Sequence, residues 1–235
     1  MIDTKTQEIV YNTANTFWNE HVSNGAFREI TQGKEIGHRI ADYVDDRTTA
    51  RLLLDPALTA SFEYNNKGQK ILRSMGDIWI QSNGIYNPVN IKTGIETDKS
   101  PNIVSLTKLL MRLLQHQIDS YYLLVVKFIK FQTQYQPNLY FFDLLDYLDF
   151  TNFDLGPGQI MLQEKKFYEH ADSGQKPAKL SLPEKIDKCV VIMYDAYERL
   201  LHNRKTRIDN LTKQISKFKK ANDFTVNQEG LFFHG

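Results

Sequence analysis

The sequence has very little cysteine, since Cys189 is the one thiol among 235 residues. A single thiol cannot form an intramolecular disulfide, which excludes a secreted scaffold held together by disulfides. No apolar run approaches the roughly 20 residues that a transmembrane helix needs, and residues 1–10 lack the apolar stretch of a secretory signal. We therefore expect a cytoplasmic protein with no membrane partner.

Two further classes of site are missing from the sequence. The six histidines form no H-x-x-x-H pair and no cluster with the cysteine, so a zinc site is not expected. Neither a Walker loop nor a G-x-G-x-x-G turn is present, so no nucleotide cofactor is expected. What remains is an ordinary globular composition, with 41% hydrophobic and 24% charged residues. The chain is long enough to bury a sizeable core.

Net charge is also nearly absent, because 29 Lys and Arg residues face 28 Asp and Glu residues. The balance hides a segregation: residues 199–220 hold eight basic side chains and one acidic side chain, Asp209. Apolar residues recur there at steps of three and four, which predicts an amphipathic helix. Its cations form either a solvated face or an arm that contacts phosphates, with Arg204, Lys205 and Arg207 as the candidate contacts.

Periodicity divides the chain into a helical start, an α/β middle and a helical end. Residues 6–18, 35–51 and 183–220 carry apolar side chains at helical spacing. Strands are predicted at 70–80 and 88–92 around an Asn83-Gly84 turn, at 121–131, and with less support at 159–168. A helix predicted at 103–118 would link two of the strands in a right-handed crossover. The simplest interpretation is one domain over 1–235, with a helical region at 1–60, an α/β core at 65–170 and the basic helix at 183–220.

The hairpin carries the residues that could perform chemistry. Asp77 belongs to its first strand, and Asn90 and Lys92 belong to its second. Residues two apart on a strand share a face, so Asn90 and Lys92 project together and the paired strand can bring Asp77 beside them. Magnesium prefers such oxygen ligands, and a neighbouring lysine can orient an attacking water or balance phosphate charge. The set suits metal-assisted hydrolysis of a phosphodiester.

These residues resemble the PD-(D/E)xK nuclease signature, with Gly76 in place of the proline and Asn90 in place of an acid. Residues 90–93 followed by 99–105 are similar to a strand and loop of the blunt-cutting EcoRV/HincII branch of type II restriction endonucleases. Residues 156–160 also resemble a segment of that group. The likeness covers roughly residues 75–165 and follows the predicted order of elements.

The resemblance implies a PD-(D/E)xK restriction-endonuclease-like α/β fold, with a mixed central sheet flanked by helices, in a single nuclease domain of a prokaryotic protein. It implies a homodimer that uses Mg²⁺ to cut double-stranded DNA at a short palindrome. Asp77 and Asn90, with the carbonyl of Ile91, would hold the metal, and Lys92 would serve the attacking water. Asn102 would contact base edges, while Ser100 and Lys99 would contact the DNA backbone.

Several alternatives stay open at this point. Asn90 is a natural amide ligand, an engineered replacement of an acid, or the mark of an inactive protein. A helix acid often completes such sites; Glu35 and Asp42 are candidates, although both could be solvated carboxylates. The chain could also be an inactive sequence-specific DNA-binding protein or a structure-specific nuclease of DNA repair or recombination. It could also be an α/β interaction protein in which the spacing of Asp77, Asn90 and Lys92 is a coincidence.

Overall fold

The computed structural model describes residues 2–25, 38–55, 58, 60–61, 75–82, 84–95, 102–131, 134–154, 156 and 158–222. In this part the protein is mixed α/β, with a mixed sheet and flanking helices. The chain divides into two compact units, residues 1–192 and residues 193–235, and each is described by itself. A single nuclease domain over 1–235 stays a prediction.

Two helices open the first unit, as the periodicity predicts. Helix α1 (Thr4–Ser23) begins after Asp3, whose carboxylate accepts the backbone N–H of Thr6 at 2.7 Å, a typical N-terminal cap. Helix α2 (His38–Leu53) follows. The two helices are joined by a buried hydrogen bond, in which the indole N–H of Trp18 donates to Oγ1 of Thr48 at 2.9 Å.

The strands of the described part form two sheets. The larger sheet has the order β1-β2-β3-β5-β6 and the smaller one the order β4-β8-β7. Strand β3 is parallel to β5, and the other pairs are antiparallel. The strands are β1 (Ala60–Ser61), β2 (Ile78–Ser82), β3 (Ile85–Ile95), β4 (Asn102–Ser105), β5 (Tyr122–Phe131), β6 (Gln134–Asp143), β7 (Thr151–Asp154) and β8 (Gln159–Leu162).

The predicted hairpin is confirmed, but its first strand, predicted at 70–80, begins at Ile78, so that residues 75–77 precede it, and β3 is longer than expected. Gly84 in its turn has a φ of 79°, a left-handed conformation that glycine adopts without strain. Proline fits inside β3 because the pairing with β5 begins only at Val89, so Pro88 has β2 as its single strand neighbour in the described sheet. The predicted strand at 121–131 is also confirmed, and most of it is buried.

Two further predicted elements are wrong in their bounds. Residues 103–105 belong to β4, and the helix begins only at α3 (Leu106–Leu114), where Ser105 caps it by accepting the N–H of Lys108. The predicted strand at 159–168 stops at Leu162, because α4 (Glu164–Asp172) follows and buries Phe167 and Tyr168. In both cases a short strand pairs with another in the smaller sheet, a long-range contact that local periodicity does not contain.

The last helix starts in the first unit and is tied to it by a buried cation. Helix α5 (Leu182–Asn222) is continuous. Its Lys185, of which 1% is exposed, lies 2.7 Å from Oδ2 of Asp143 and 3.8 Å from Oδ1 of Asp146. Two short 3-10 helices (Leu144–Asp146 and Leu148–Phe150) continue from β6 beside this ion pair.

The hydrophobic core of the first unit lies between the large sheet and the two N-terminal helices. It joins residues of α1 and α2 such as Trp18 and Val44 to sheet residues such as Ile91 and Phe128. Because α2 packs on β3, this core sets the distance between the helix and the strand that carries Asn90 and Lys92. Among the described helices, none has the length and apolar character that crossing a membrane requires.

Candidate functional site

Asp77 lies in the bend that leads into β2, and hydrogen bonds hold it against β3. Its backbone N–H donates to the carbonyl of Val89 at 2.9 Å. Its Oδ2 accepts the backbone N–H of Ile91 at 2.6 Å. The carboxylate therefore extends the β2–β3 ladder by one bond, and the pairing of Ile78 with Val89 sets its position beside Asn90.

The glycine that precedes Asp77 has a packing reason. A Cβ atom added to Gly76 would lie 2.8 Å from Cβ of Pro88 and 3.0 Å from the carbonyl oxygen of Val89. A well-packed interior does not absorb such a contact without movement. A proline or alanine at position 76 would therefore push Asp77 away from β3, so the packing at this position requires glycine.

The side chain of Asn90 is buried, with 7% exposed, and its orientation is set by two acceptors. Its Nδ2 donates to the carbonyl of Ile103 at 3.1 Å and to the hydroxyl oxygen of Tyr121 at 2.8 Å. The Tyr121 hydroxyl donates in turn to the carbonyl of Met75, so toward Asn90 it can only accept. The NH₂ group must face these two oxygens.

This orientation leaves the other amide atom of Asn90 without a hydrogen bond. Its Oδ1 is buried and has no hydrogen-bond partner among the described residues. An unsatisfied buried acceptor costs about 1–3 kcal/mol and is rare in native proteins. A cation is the kind of partner that would satisfy such an oxygen. Burial raises the pKa of the Tyr121 hydroxyl, and the charge of Asp77 adds a smaller rise, so Asp77 acts on the hydroxyl that Asn90 contacts.

Lys92 follows Asn90 by two residues on β3, so the two side chains share one face of the sheet. Lys92 is half-buried, and its charge lowers the pKa of a nearby acid, Asp45. The pairing of β3 with β5 continues through both residues, opposite Leu123 and Val125, whereas the pairing with β2 ends at Val89.

Asp45 on α2 is the second carboxylate at this place. Oγ1 of Thr93 donates to Oδ1 of Asp45 at 3.3 Å. Burial, followed by the charge of Asp77, raises the pKa of Asp45 to about 7, while Lys92 and the Thr93 hydrogen bond oppose the rise. A carboxyl group whose pKa is raised by burial and a second acid is typical of functional sites.

The sequence prediction missed Asp45. The candidate acids were Glu35, which lies outside the described residues, and Asp42, which is exposed and has the weakest effect of the charges that act on Asp45. A signal was present: Asp45 follows Val44 and precedes Thr48 by three residues, and both of these are buried. Helical period therefore puts Asp45 at the border of the buried face, and Asp42 farther from it.

The candidate donor set around Asp77 fits magnesium better than zinc. Within the described ranges, no group of three or more His, Cys, Asp or Glu side chains is placed to hold a metal ion. The candidate donors are the carboxylates of Asp77 and Asp45 and the amide oxygen of Asn90, with the ammonium group of Lys92 as a neighbouring charge. Such a set lacks the nitrogen and sulfur ligands of zinc, but Mg²⁺ commonly binds through one or two carboxylates together with water and a substrate phosphate. For Ile91, the structure gives the N–H bond to Asp77, and its carbonyl as a ligand stays a prediction.

The residues predicted to contact DNA fall in three places. Asn102 is exposed at the start of β4, opposite Met161 of β8, and is followed by Ile103, whose carbonyl accepts from Asn90. Lys99 and Ser100 lie outside the described residues. Arg204, Lys205 and Arg207 are exposed on α5 in the second unit. Their contacts with DNA stay predictions.

Comparison with known proteins adds no assignment. A scan of the chain against protein-family models and a search of curated proteins both return no match.

Proposed function

We propose that this protein is a Mg²⁺-dependent type II site-specific deoxyribonuclease with a PD-(D/E)xK-type fold, acting as a homodimer on double-stranded DNA at a short palindrome. The observation that carries the proposal is that the charges of Asp77 and Lys92 both act on Asp45, while Asp77 is bonded to β3 directly after Asn90, whose buried Oδ1 is unsatisfied. Three of these four positions follow the order of the nuclease signature. The fourth comes from a different element, α2.

Each residue has a role that follows from its chemistry. Asp77 and Asp45, with Oδ1 of Asn90, would hold the metal, which when bound supplies positive charge that stabilises the phosphate oxygens of the transition state. Lys92 would hold the attacking water by a hydrogen bond and offset charge at the phosphate. Asp45 would release its proton when the site takes up a cation, because a positive neighbour lowers the pKa of a carboxyl group.

The contacts of Asn90 favour the interpretation of a natural amide ligand. A carboxylate at this position would set a buried oxygen against the carbonyl of Ile103 and the hydroxyl oxygen of Tyr121, both of which act as acceptors toward it. The amide instead donates to both and keeps one oxygen for a ligand. An acid that had been replaced by engineering would be expected to leave donors, rather than acceptors, around the position.

The proposal is tested by incubating the purified chain with sequenced genomic DNA in Mg²⁺ and in EDTA. We expect discrete fragments in Mg²⁺ alone, whose mapped ends give the target and the cut position. Replacing Lys92 by Ala should lower the cleavage rate by at least about 100-fold, the usual contribution of a group that assists proton transfer. Lys130→Ala, at an exposed position of the neighbouring strand β5, is the matched control and should cut at the rate of the parent.

Other outcomes identify the alternatives. Salt-dependent binding to one DNA sequence without cutting would indicate an inactive DNA-binding protein. Faster cutting of junctions or flaps than of linear duplex would indicate a structure-specific nuclease. An absence of both cutting and DNA binding would contradict the proposal and favour an interaction protein.

A further inference from the structure

Helix α5 of the second unit exposes a regular line of apolar side chains. From Tyr194 onward, they recur at alternating steps of three and four residues, with one interruption at Arg204. Four aliphatic members show how open the line is, since Leu201, Ile208, Leu211 and Ile215 are 67%, 62%, 49% and 47% exposed. The full line, called the seam below, consists of Tyr194, Tyr197, Leu201, Arg204, Ile208, Leu211, Ile215 and Phe218.

The repeat of the seam is seven residues, and it holds for four heptads. If Tyr194 is position a, then Leu201, Ile208 and Ile215 also occupy a, and the remaining seam residues occupy d. A repeat of 3.5 residues, sustained for three to four heptads, is the pattern of a coiled coil. An amphipathic helix that lies on a lipid surface has a wider apolar face, whereas a stripe confined to a and d is the narrower contact of two helices.

The area of the seam is sufficient for a stable pair of helices. Covering about 100 Å² of each of its seven apolar side chains, roughly half of the surface that a large side chain can bury, would remove about 1,400 Å² from water over two copies. Stable protein interfaces bury about 1,200–2,000 Å² in total. The seam therefore reaches interface size when it meets an equal seam along its whole length.

The residues at and beside the seam select a second copy of the same chain in parallel orientation. Isoleucine occupies a in the third and fourth heptads, at Ile208 and Ile215, with Leu211 at d between them. The combination of Ile at a with Leu at d favours two parallel strands. In a parallel, in-register pair each g residue faces the e residue of the next heptad in the partner. These pairs are Leu200 with Lys205, Arg207 with Thr212, and Gln214 with Lys219. None joins two charges of the same sign, although the helix is strongly basic.

We propose that residues 194–218 form a parallel two-stranded coiled coil with a second copy of this chain. Arg204 is the one charged residue of the seam and occupies a d position. Its stem can pack along the apolar line while its guanidinium reaches solvent, and a polar residue at one such position fixes register while lowering stability. This inference does not depend on the nuclease proposal, because it concerns association in the absence of DNA.

The test is sedimentation equilibrium of the full chain over a range of concentrations. We expect a dimer, and we expect Ile208→Glu with Leu211→Glu to raise its dissociation constant by at least about 100-fold, because two carboxylates per chain would be buried unpaired. The matched control, Thr206→Glu with Asn210→Glu, adds the same charge at exposed positions outside the seam and should keep the parent dissociation constant. Circular dichroism of each variant checks that the helix remains.

Two further variants test the details of the seam. Arg204→Leu should tighten the dimer, because it completes the apolar line, whereas a role restricted to phosphate binding predicts no change. Ile215→Cys should give a disulfide-linked dimer under mild oxidation, since equivalent a positions approach each other only in parallel, in-register helices. The parent serves as its control, because its single thiol, Cys189, is buried.

The effect of salt on association and the binding of vesicles distinguish a second copy of this chain from a lipid surface as the partner of the seam. Two basic helices repel each other, so raising the salt concentration should tighten the dimer by screening. A parent that is monomeric at all concentrations would overturn the proposal, as would a dimer that persists in the seam variant. If the parent is monomeric and binds vesicles of anionic lipid, and the seam variant does not bind them, the seam is a membrane-binding face instead.

Discussion

The replacement of Asp45 by Asn offers the most direct test of the site, because the structure gives its size and its dependence on pH. Burial and the charge of Asp77 raise the pKa of Asp45 from 3.8 to about 7. This change corresponds to about 4 kcal/mol, at about 1.4 kcal/mol for each tenfold change in proton affinity. The free energy is the cost of keeping Asp45 ionised in the folded protein.

The direction in which stability changes with pH follows from which state, folded or unfolded, releases the proton of Asp45 at the lower pH. Below about pH 4, Asp45 is protonated in both states and contributes no difference. Between about pH 4 and pH 7 the unfolded chain loses the proton while the folded chain keeps it, so stability falls as the pH rises. Above about pH 7 both states are ionised and the full cost is present. Asn cannot ionise, and its oxygen can still accept the hydroxyl of Thr93.

We therefore expect Asp45→Asn to unfold like the parent near pH 4 and to be more stable by up to about 4 kcal/mol near pH 8 in EDTA. Urea unfolding followed by tryptophan fluorescence measures this difference, because Trp18 and Trp79 both lie in the first unit. Asp42→Asn, an exposed acid on the same helix, is the control for losing a charge.

Magnesium connects this stability to the proposed activity. At pH 8, Mg²⁺ should stabilise the parent more than Asp45→Asn, because binding to the folded state alone shifts unfolding. The variant should also lose cleavage, a gain in stability at the expense of function. A difference between the two proteins that stays the same from pH 4 to pH 8 would refute the raised pKa of Asp45 that burial and the charge of Asp77 produce.

Three substitutions test the packing around the site and the buried ion pair by urea unfolding. Asn90→Asp should destabilise the fold by about 2–4 kcal/mol, since it sets a buried acid against two acceptors; a gain in both stability and cleavage would contradict the amide assignment. Gly76→Ala should cost about 1–3 kcal/mol through its contact with Pro88 and slow cleavage, and unchanged behaviour would mean that the close approach is absent. Lys185→Met should cost about 3–5 kcal/mol, because it leaves the buried carboxylate of Asp143 without its cation. The control is Lys188→Met, which breaks a more exposed ion pair with Asp149 at the same distance of 2.7 Å and should cost less than about 1 kcal/mol.

Local patterns were sufficient for the elements whose residues repeat with one period. Helices α1, α2 and α5 and the hairpin around Gly84 could be predicted because their apolar spacing and turn residues are encoded over a few consecutive positions. The same local analysis correctly put Asn90 and Lys92 on one strand, whereas Asp77 lies in the bend directly before β2. It failed at β4 and β8, which are short and exist through their pairing with each other.

The orientation of Asn90 depended on residues far away in the chain. Its amide is turned by the carbonyl of Ile103 and the hydroxyl of Tyr121, which are 13 and 31 residues away. From the sequence, Asn90 was a departure from a nuclease signature with three open interpretations. The surroundings of Asn90 explain the amide, because the two acceptors that face its side chain require a hydrogen-bond donor.

By itself, the sequence determined the hairpin that carries three site residues and the heptad repeat of α5, since both are periodic features of neighbouring residues. Only the tertiary structure added Asp45 to the site, and only it showed which atom of Asn90 is left for a ligand. The physical reason is the same in both cases: the pKa of one group and the orientation of the other are set by burial and by polar groups from distant elements. The little cysteine and the nearly zero net charge limited the class of protein, while the packing of α2 on β3 gave the site its chemistry.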